Sequence, residues 1–102
     1  MNITAVIEPK ESQIQKQIVG YLELKGYEVI RHNAGKVKYN VTGAKKGMPD
    51  LEALIGGGIS VFVEVKTKKG KLSEDQKKMQ KRLRDLGHKV IVARKLEDVR
   101  NI

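Results

Sequence analysis

The chain is predicted to fold as one α/β domain built on a mixed β-sheet. Three features point there: two stretches with helical spacing of apolar residues, short apolar-rich strands around them, and a length of 102 residues with no repeat, linker or low-complexity tract. A domain of that size has room for one sheet with helices packed on it.

From Pro9 to about Lys25 the residues Ile14, Ile18, Tyr21 and Leu22 recur at helical spacing. Pro9 suits the first helical position and Gly26 the C-terminal stop. A capping box of Ser12 with Gln15 would start the helix a turn later, but the earlier start is preferred. Glu11 then lies in the first turn, at the edge of the buried stripe. Tyr27 to Arg31 reads as a strand, and Asn33 to Gly47 as a loop rich in turn formers. Leu51–Ile55 and Ile59–Lys66 are apolar-rich strands flanking Gly56-Gly57-Gly58, the pattern of a β-hairpin, or of two neighbouring strands if the loop is irregular. A second helix starts at Ser73, with Gln76 completing a capping box, and stops before Gly87. Its apolar stripe is traced by Leu72, Gln76, Met79, Leu83 and Leu86. Lys89–Ala93 reads as a last strand, long enough after the helix for a parallel crossover, and Leu96–Val99 as a short terminal helix.

Composition narrows the chemistry. There is no cysteine, which excludes disulfides, thiolate metal sites and a cysteine nucleophile. With His32 and His88 the only histidines, a zinc site would need carboxylates for most of its ligands. The opening MNITAVIEPKE lacks a basic region followed by an apolar run, and the uncharged stretch Ala53 to Val63 is too short and glycine-rich to span a bilayer. A cytoplasmic protein is expected. Lys plus Arg number 21 against 12 acids, a formal charge of +9, which favours a polyanionic partner.

The hairpin register brings chemistry into view. A three-residue glycine loop closed by Ile55 opposite Ile59 places Asp50 across from Glu64. Opposed side chains in an antiparallel pair have Cβ atoms roughly 4.5–5.5 Å apart. Two carboxylates so close repel one another unless a cation lies between them, and hard oxygen ligands suit Mg²⁺ or Mn²⁺. Glu64 and Lys66 share one strand face while Val61, Val63 and Val65 share the other. Lys66 thus stands beside the carboxylates, where its ammonium could orient a water or stabilise charge on a phosphoryl group. The plainer readings are an exposed Glu–Lys pair and a turn aspartate after Pro49. Against them, Glu64 and Lys66 interrupt an apolar strand, VFVEVK. Glu11 and Gln76 sit beside apolar helical stripes. Each has a plain explanation, the helix dipole for Glu11 and the cap for Gln76, and a functional one: metal ligation, direct or through water, for Glu11, and a supporting bond or substrate contact for Gln76.

Lysines surround these residues. Lys68, Lys69, Lys71 and Lys77 follow Lys66, and Arg31, Lys36, Lys38, Lys45 and Lys46 flank or lie in the preceding loop, where Tyr39 could stack on a base. Contacts of this kind hold phosphates without reading sequence. Nothing here resembles a recognition helix, so shape selectivity is expected.

Gly47, Pro49 and Asp50 in KKGMPDLEALI, then Glu64, Val65 and Lys66 in VFVEVKTKKGKLSEDQ with Gln76, resemble the PD-(D/E)XK nuclease superfamily. The similarity is to its VRR-NUC branch, stand-alone in phages and fused at the C-terminus of the Fanconi-associated nuclease. It implies a restriction-endonuclease-like core with a central mixed sheet flanked by helices in the order α-β-β-β-α-β. It also implies metal ligation by Asp50, Glu64 and the Val65 carbonyl, a catalytic lysine at Lys66, a site-supporting carboxylate at Glu11, and a role for Gln76. The reaction implied is Mg²⁺- or Mn²⁺-dependent hydrolysis of DNA, leaving 5′-phosphate and 3′-hydroxyl ends. Likeness to Holliday junction resolvases implies branched substrates and a homodimer, with Ile3, Val6 and Ile7 as available apolar surface, and a host-cell cytoplasmic site of action if phage-encoded. Two rivals stay open: a non-catalytic DNA- or RNA-binding protein using the same basic surface, and a structural subunit whose acidic cluster binds another protein.

Overall fold

The computed structural model describes residues 7–32 and 46–102. Helix α1 (Glu11–Leu24) leads into β1 (Glu28–Arg31), and the hairpin β2 (Leu51–Gly56) and β3 (Ile59–Val65) follows. Helix α2 (Glu74–Asp85), β4 (Lys89–Ala93) and a 3-10 turn (Leu96–Val99) complete the order. The strands lie side by side as β1-β2-β3-β4, antiparallel except for the parallel β3–β4 pair. The mixed sheet and element order expected from the sequence are therefore present.

Helix α1 starts later than Pro9. Lys10 is its N-cap, and Gln13 Oε1 accepts the Lys10 backbone N–H at 2.8 Å, a one-way side-chain bond that neither Pro9 nor the Ser12–Gln15 pair supplies. Both helices end alike. Gly26 and Gly87 take φ near +90°, and the amides of Tyr27 and His88 reach back to the carbonyls of Leu22 and Leu83. That closure needs a left-handed residue, which is why the glycines marked both stops.

The sheet buries both faces against different partners. Ile14, Ile18, Val19 and Leu22 of α1 pack with Leu51, Ala53, Val63, Val65, Ala93 and Val99. On the α2 side a smaller cluster gathers Phe62, Leu83 and Val90, flanked by Met48 and Met79. Leu86, expected on the buried stripe, is exposed, because the helix ends there and its inward positions are Gln80 and Leu83.

The hairpin differs in one detail. Gly56, not Ile55, pairs with Ile59, leaving Gly57 and Gly58 as a two-residue turn with φ of +62° and +75°. Positive φ at both central positions is what the twist of a tight hairpin favours. A bulge between Leu54 and Gly56 absorbs Ile55 and restores the expected register from Leu54↔Ser60 to Leu51↔Val63.

Candidate active site

Asp50 immediately precedes β2, and Glu64 is the penultimate residue of β3. One step beyond the Leu51↔Val63 pair, the register sets them opposite one another. Leu51 and Val63 face the α1 core, so alternation turns Asp50 and Glu64 toward α2. Both are buried, at 4% and 1% exposure, where an uncompensated charge is costly. Asp50 Oδ2 accepts the Val65 backbone N–H at 2.8 Å, which ties it to the neighbouring strand. Glu64 Oε2 accepts from Gln76 Nε2 at 3.3 Å, while its buried Oε1 has no donor.

The Glu64 carboxyl is consequently harder to ionise than an ordinary one. Burial, then the hydrogen bond and charge of Asp50, push the Glu64 carboxyl from 4.5 up to about 8; Lys66 opposes this and Glu11 adds a little to it. Two buried hard-oxygen groups that face each other, one with an oxygen lacking a donor, are a donor set that Mg²⁺ or Mn²⁺ fits. Among the described residues no group of three His, Cys, Asp or Glu side chains is arranged to hold a metal. Glu11 is the exposed first residue of α1, near enough for its charge to reach Glu64.

Gln76 makes the helix cap and a bond to Glu64 at once. Its Oε1 accepts from Ser73 N at 2.9 Å and its amide N donates to Ser73 Oγ at 3.1 Å, while its Nε2 faces Glu64. The cap therefore aims the amide at the carboxylate. Ser73→Ala is expected to cost about 1 kcal/mol by urea denaturation. Gln76→Ala removes the cap and also the donor to Glu64 Oε2, so its loss by the same measurement is expected to exceed that of Ser73→Ala.

Gly47 locks the approach to Asp50. With φ of +78°, a Cβ there would lie 2.2 Å from the Asp75 carbonyl oxygen and 2.7 Å from the Gln76 amide nitrogen. The chain entering β2 thus rests on the first turn of α2, which holds Asp50 over Glu64. Gly47→Ala is expected to destabilise by about 3 kcal/mol or more, since backbone must move as well as strain. A urea midpoint matching that of the unsubstituted protein would disprove the contact.

A model of the VRR-NUC domain matches residues 4–95. The chain belongs to the VRR-NUC domain family. That family comprises nuclease-type domains. A solved structure described as a VRR_NUC domain is 29% identical over 87% of this chain and 88% of its own, with a TM-score of 0.69. No curated protein matches. The fold of this VRR-NUC domain is the restriction-endonuclease-like arrangement that the motifs implied.

The other expected site residues divide by position. Lys66 is half-buried, and its backbone N–H donates to Ala93 O at 2.9 Å, which fixes the strand end that carries it. Lys68, Lys69 and Lys71 are exposed on the segment joining β3 to α2. Lys46 is exposed beside Gly47, and Lys77 is exposed on α2 with Glu74 3.3 Å away. Lys36, Lys38, Lys45 and Tyr39 lie outside the described residues, as do Ile3 and Val6, whereas Ile7 is 89% exposed. Among the described residues no helix is long and apolar enough to cross a membrane.

From the sequence, His32 and His88 have only a structural or surface reading, which does not anticipate the contact of His32 with Asp50. His32 donates its backbone N–H to Asp50 O at 2.8 Å, and its Nε2 lies 3.0 Å from Glu52 Oε1. Its ring stacks 6.3 Å from Phe62, whose other side meets His88 edge-on at 5.3 Å. The available signal was that Glu52 shares a strand face with Asp50. Gln80, 2% exposed with its Nε2 unpartnered, was also missed; it lies one helical turn beyond Gln76.

Proposed function

We propose that this VRR-NUC domain is a Mg²⁺- or Mn²⁺-dependent, structure-selective DNA endonuclease. It hydrolyses phosphodiester bonds in branched DNA such as Holliday junctions and leaves 5′-phosphate and 3′-hydroxyl ends. The observation that carries this reading is the buried Asp50–Glu64 carboxyl pair beside Lys66, at the open end of two strands in a nuclease-type family.

Asp50, Glu64 and the Val65 carbonyl would hold the cation, with Glu11 joining directly or through water. When bound, the cation supplies Lewis-acid polarisation and a more acidic water. Lys66, one residue past the end of β3 rather than inside the strand as the sequence suggests, orients the attacking water or neutralises charge gathering on the phosphoryl oxygens. Gln76 keeps the Glu64 carboxylate aimed through its paired bonds to Ser73 and Glu64. Lys46, Lys68, Lys69, Lys71 and Lys77, with Lys36, Lys38 and Lys45, hold phosphates on either side of the scissile bond, so affinity falls steeply with salt. A homodimer would present two such sites to a two-fold substrate.

The test is a panel of four-way junctions, flaps, single strands and linear duplex, each with Mg²⁺, Mn²⁺ or EDTA. Cation-dependent nicking of branched DNA, leaving ends that ligate directly, is expected, and Lys66→Ala is expected to lose it. Equal rates on linear duplex would remove the structure selectivity. Undiminished cleavage by Lys66→Ala would remove the site.

A further inference from the structure

Directly after Lys66 the chain folds into a tight turn, with Gly70 N donating to Thr67 O at 3.1 Å. A Cβ placed on Gly70 would meet Thr67 Oγ1 at 3.0 Å and the Lys66 Cδ at 3.4 Å, so this turn lies against the aliphatic stem of Lys66. Its tip carries the exposed Lys68 and Lys69. Four cations in the segment from Lys66 to Lys71 repel one another, and the turn itself supplies one internal bond.

What holds the turn comes from the residue just past β4. Arg94 Nη1 donates to the carbonyls of Thr67 at 2.7 Å, Gly70 at 2.7 Å and Lys68 at 3.3 Å. Arg94 is itself anchored: Asp98 Oδ2 accepts its backbone N–H at 2.8 Å and that of Lys95 at 3.2 Å. The preceding residue, Ala93, accepts the Lys66 amide. All three contacts converge on one terminal nitrogen with two hydrogens, so the longer one to Lys68 shares a hydrogen with a shorter one. A lysine ammonium ends one bond nearer the backbone and is more strongly hydrated, so it would not seat among the same carbonyls.

We propose that Arg94 is a positioning residue for Lys66, its guanidinium holding the turn 67–70 folded against the Lys66 stem. The same clamp sets where the Lys68 and Lys69 amines stand relative to that ammonium. Only the kinetic consequence rests on the nuclease reading above; the clamp itself does not.

Two measurements separate the clamp from that reading. In the first, native protein is digested briefly with trypsin and the cuts are mapped by mass spectrometry. Arg94→Ala is expected to speed cleavage between residues 66 and 71 about tenfold, with other sites unchanged. Arg94→Lys, which keeps the charge, is expected to behave similarly and decides the matter if Arg94→Ala does not fold. Wild-type cleavage rates in Arg94→Lys would mean that charge alone suffices, and the clamp would fall. In the second, Arg94→Ala is combined with Lys66→Ala in a double-mutant cycle on branched DNA. Arg94→Ala alone is expected to lower kcat about tenfold with KM little changed, and to cost nothing further once Lys66 is gone. Full additivity would show that Arg94 does not act through Lys66. A wild-type protein inert toward every DNA would overturn the nuclease reading, and the digestion would still decide the clamp.

Discussion

Asp50→Asn is expected to leave the domain folded and to slow DNA cleavage on the order of 10³-fold. The substituted amide has the same volume, and its oxygen can still accept the Val65 N–H that Asp50 Oδ2 accepts at 2.8 Å. What disappears is the charge of one of two carboxyl groups facing each other in a buried position. Cation affinity falls with it, because a neutral amide is a weaker ligand for a hard divalent ion. Glu64 also changes character, since the hydrogen bond and charge of Asp50 help to raise its carboxyl to about 8. Single-turnover cleavage of a four-way junction in Mn²⁺, with calorimetric titration of the cation and a thermal melt, separates these effects. An unaltered cleavage rate would put the chemistry elsewhere on the molecule.

Stability of the cation-free protein is expected to decline as pH rises from about 4.5 to about 8. Glu64 keeps its proton up to about 8 in the folded chain, against 4.5 as its ordinary value. Across that window the folded state binds more protons than the unfolded one, so the sign is fixed: the contribution is complete below 4.5 and is lost as pH passes through 8. The slope is up to about 1.4 kcal/mol per pH unit, large against the roughly 5–15 kcal/mol that holds a domain folded. Mg²⁺ or Mn²⁺ at pH 8 then replaces the proton and restores stability by mass action, while the same addition at pH 5 does little. Glu64→Gln, neutral at every pH, flattens the profile and raises stability at pH 8 although cleavage is lost. Urea midpoints from pH 5 to 9 in EDTA provide the measurement. A flat wild-type profile, or the same slope in Glu64→Gln, would mean that burial does not raise the Glu64 carboxyl.

Both predictions concern residues that were legible in the amino-acid sequence, and the reason is local. Ser73 with Gln76 announces a helix start through bonds three residues apart, and Gly26 and Gly87 announce stops because few other residues take φ near +90°. The alternation of VFVEVK separates Glu64 from the valines, and a glycine hairpin sets Asp50 opposite it. The register survived a mistaken loop length because the bulge at Ile55 compensated for the shorter turn. The helix start was less legible, since a glutamine cap at Gln13 has no stronger signal in the sequence than Pro9 or Ser12.

Element types, strand register and the facing carboxylates were therefore written in the sequence, because each depends on periodicity or on neighbours a few residues away. Packing alone decided the rest. Gly47 seated on the first turn of α2, Glu64 buried deeply enough to hold a proton, His32 stacked on Phe62 and Arg94 gripping three carbonyls more than twenty residues earlier all depend on distant segments meeting. No periodicity encodes such meetings; they exist only once the sheet has brought those segments together.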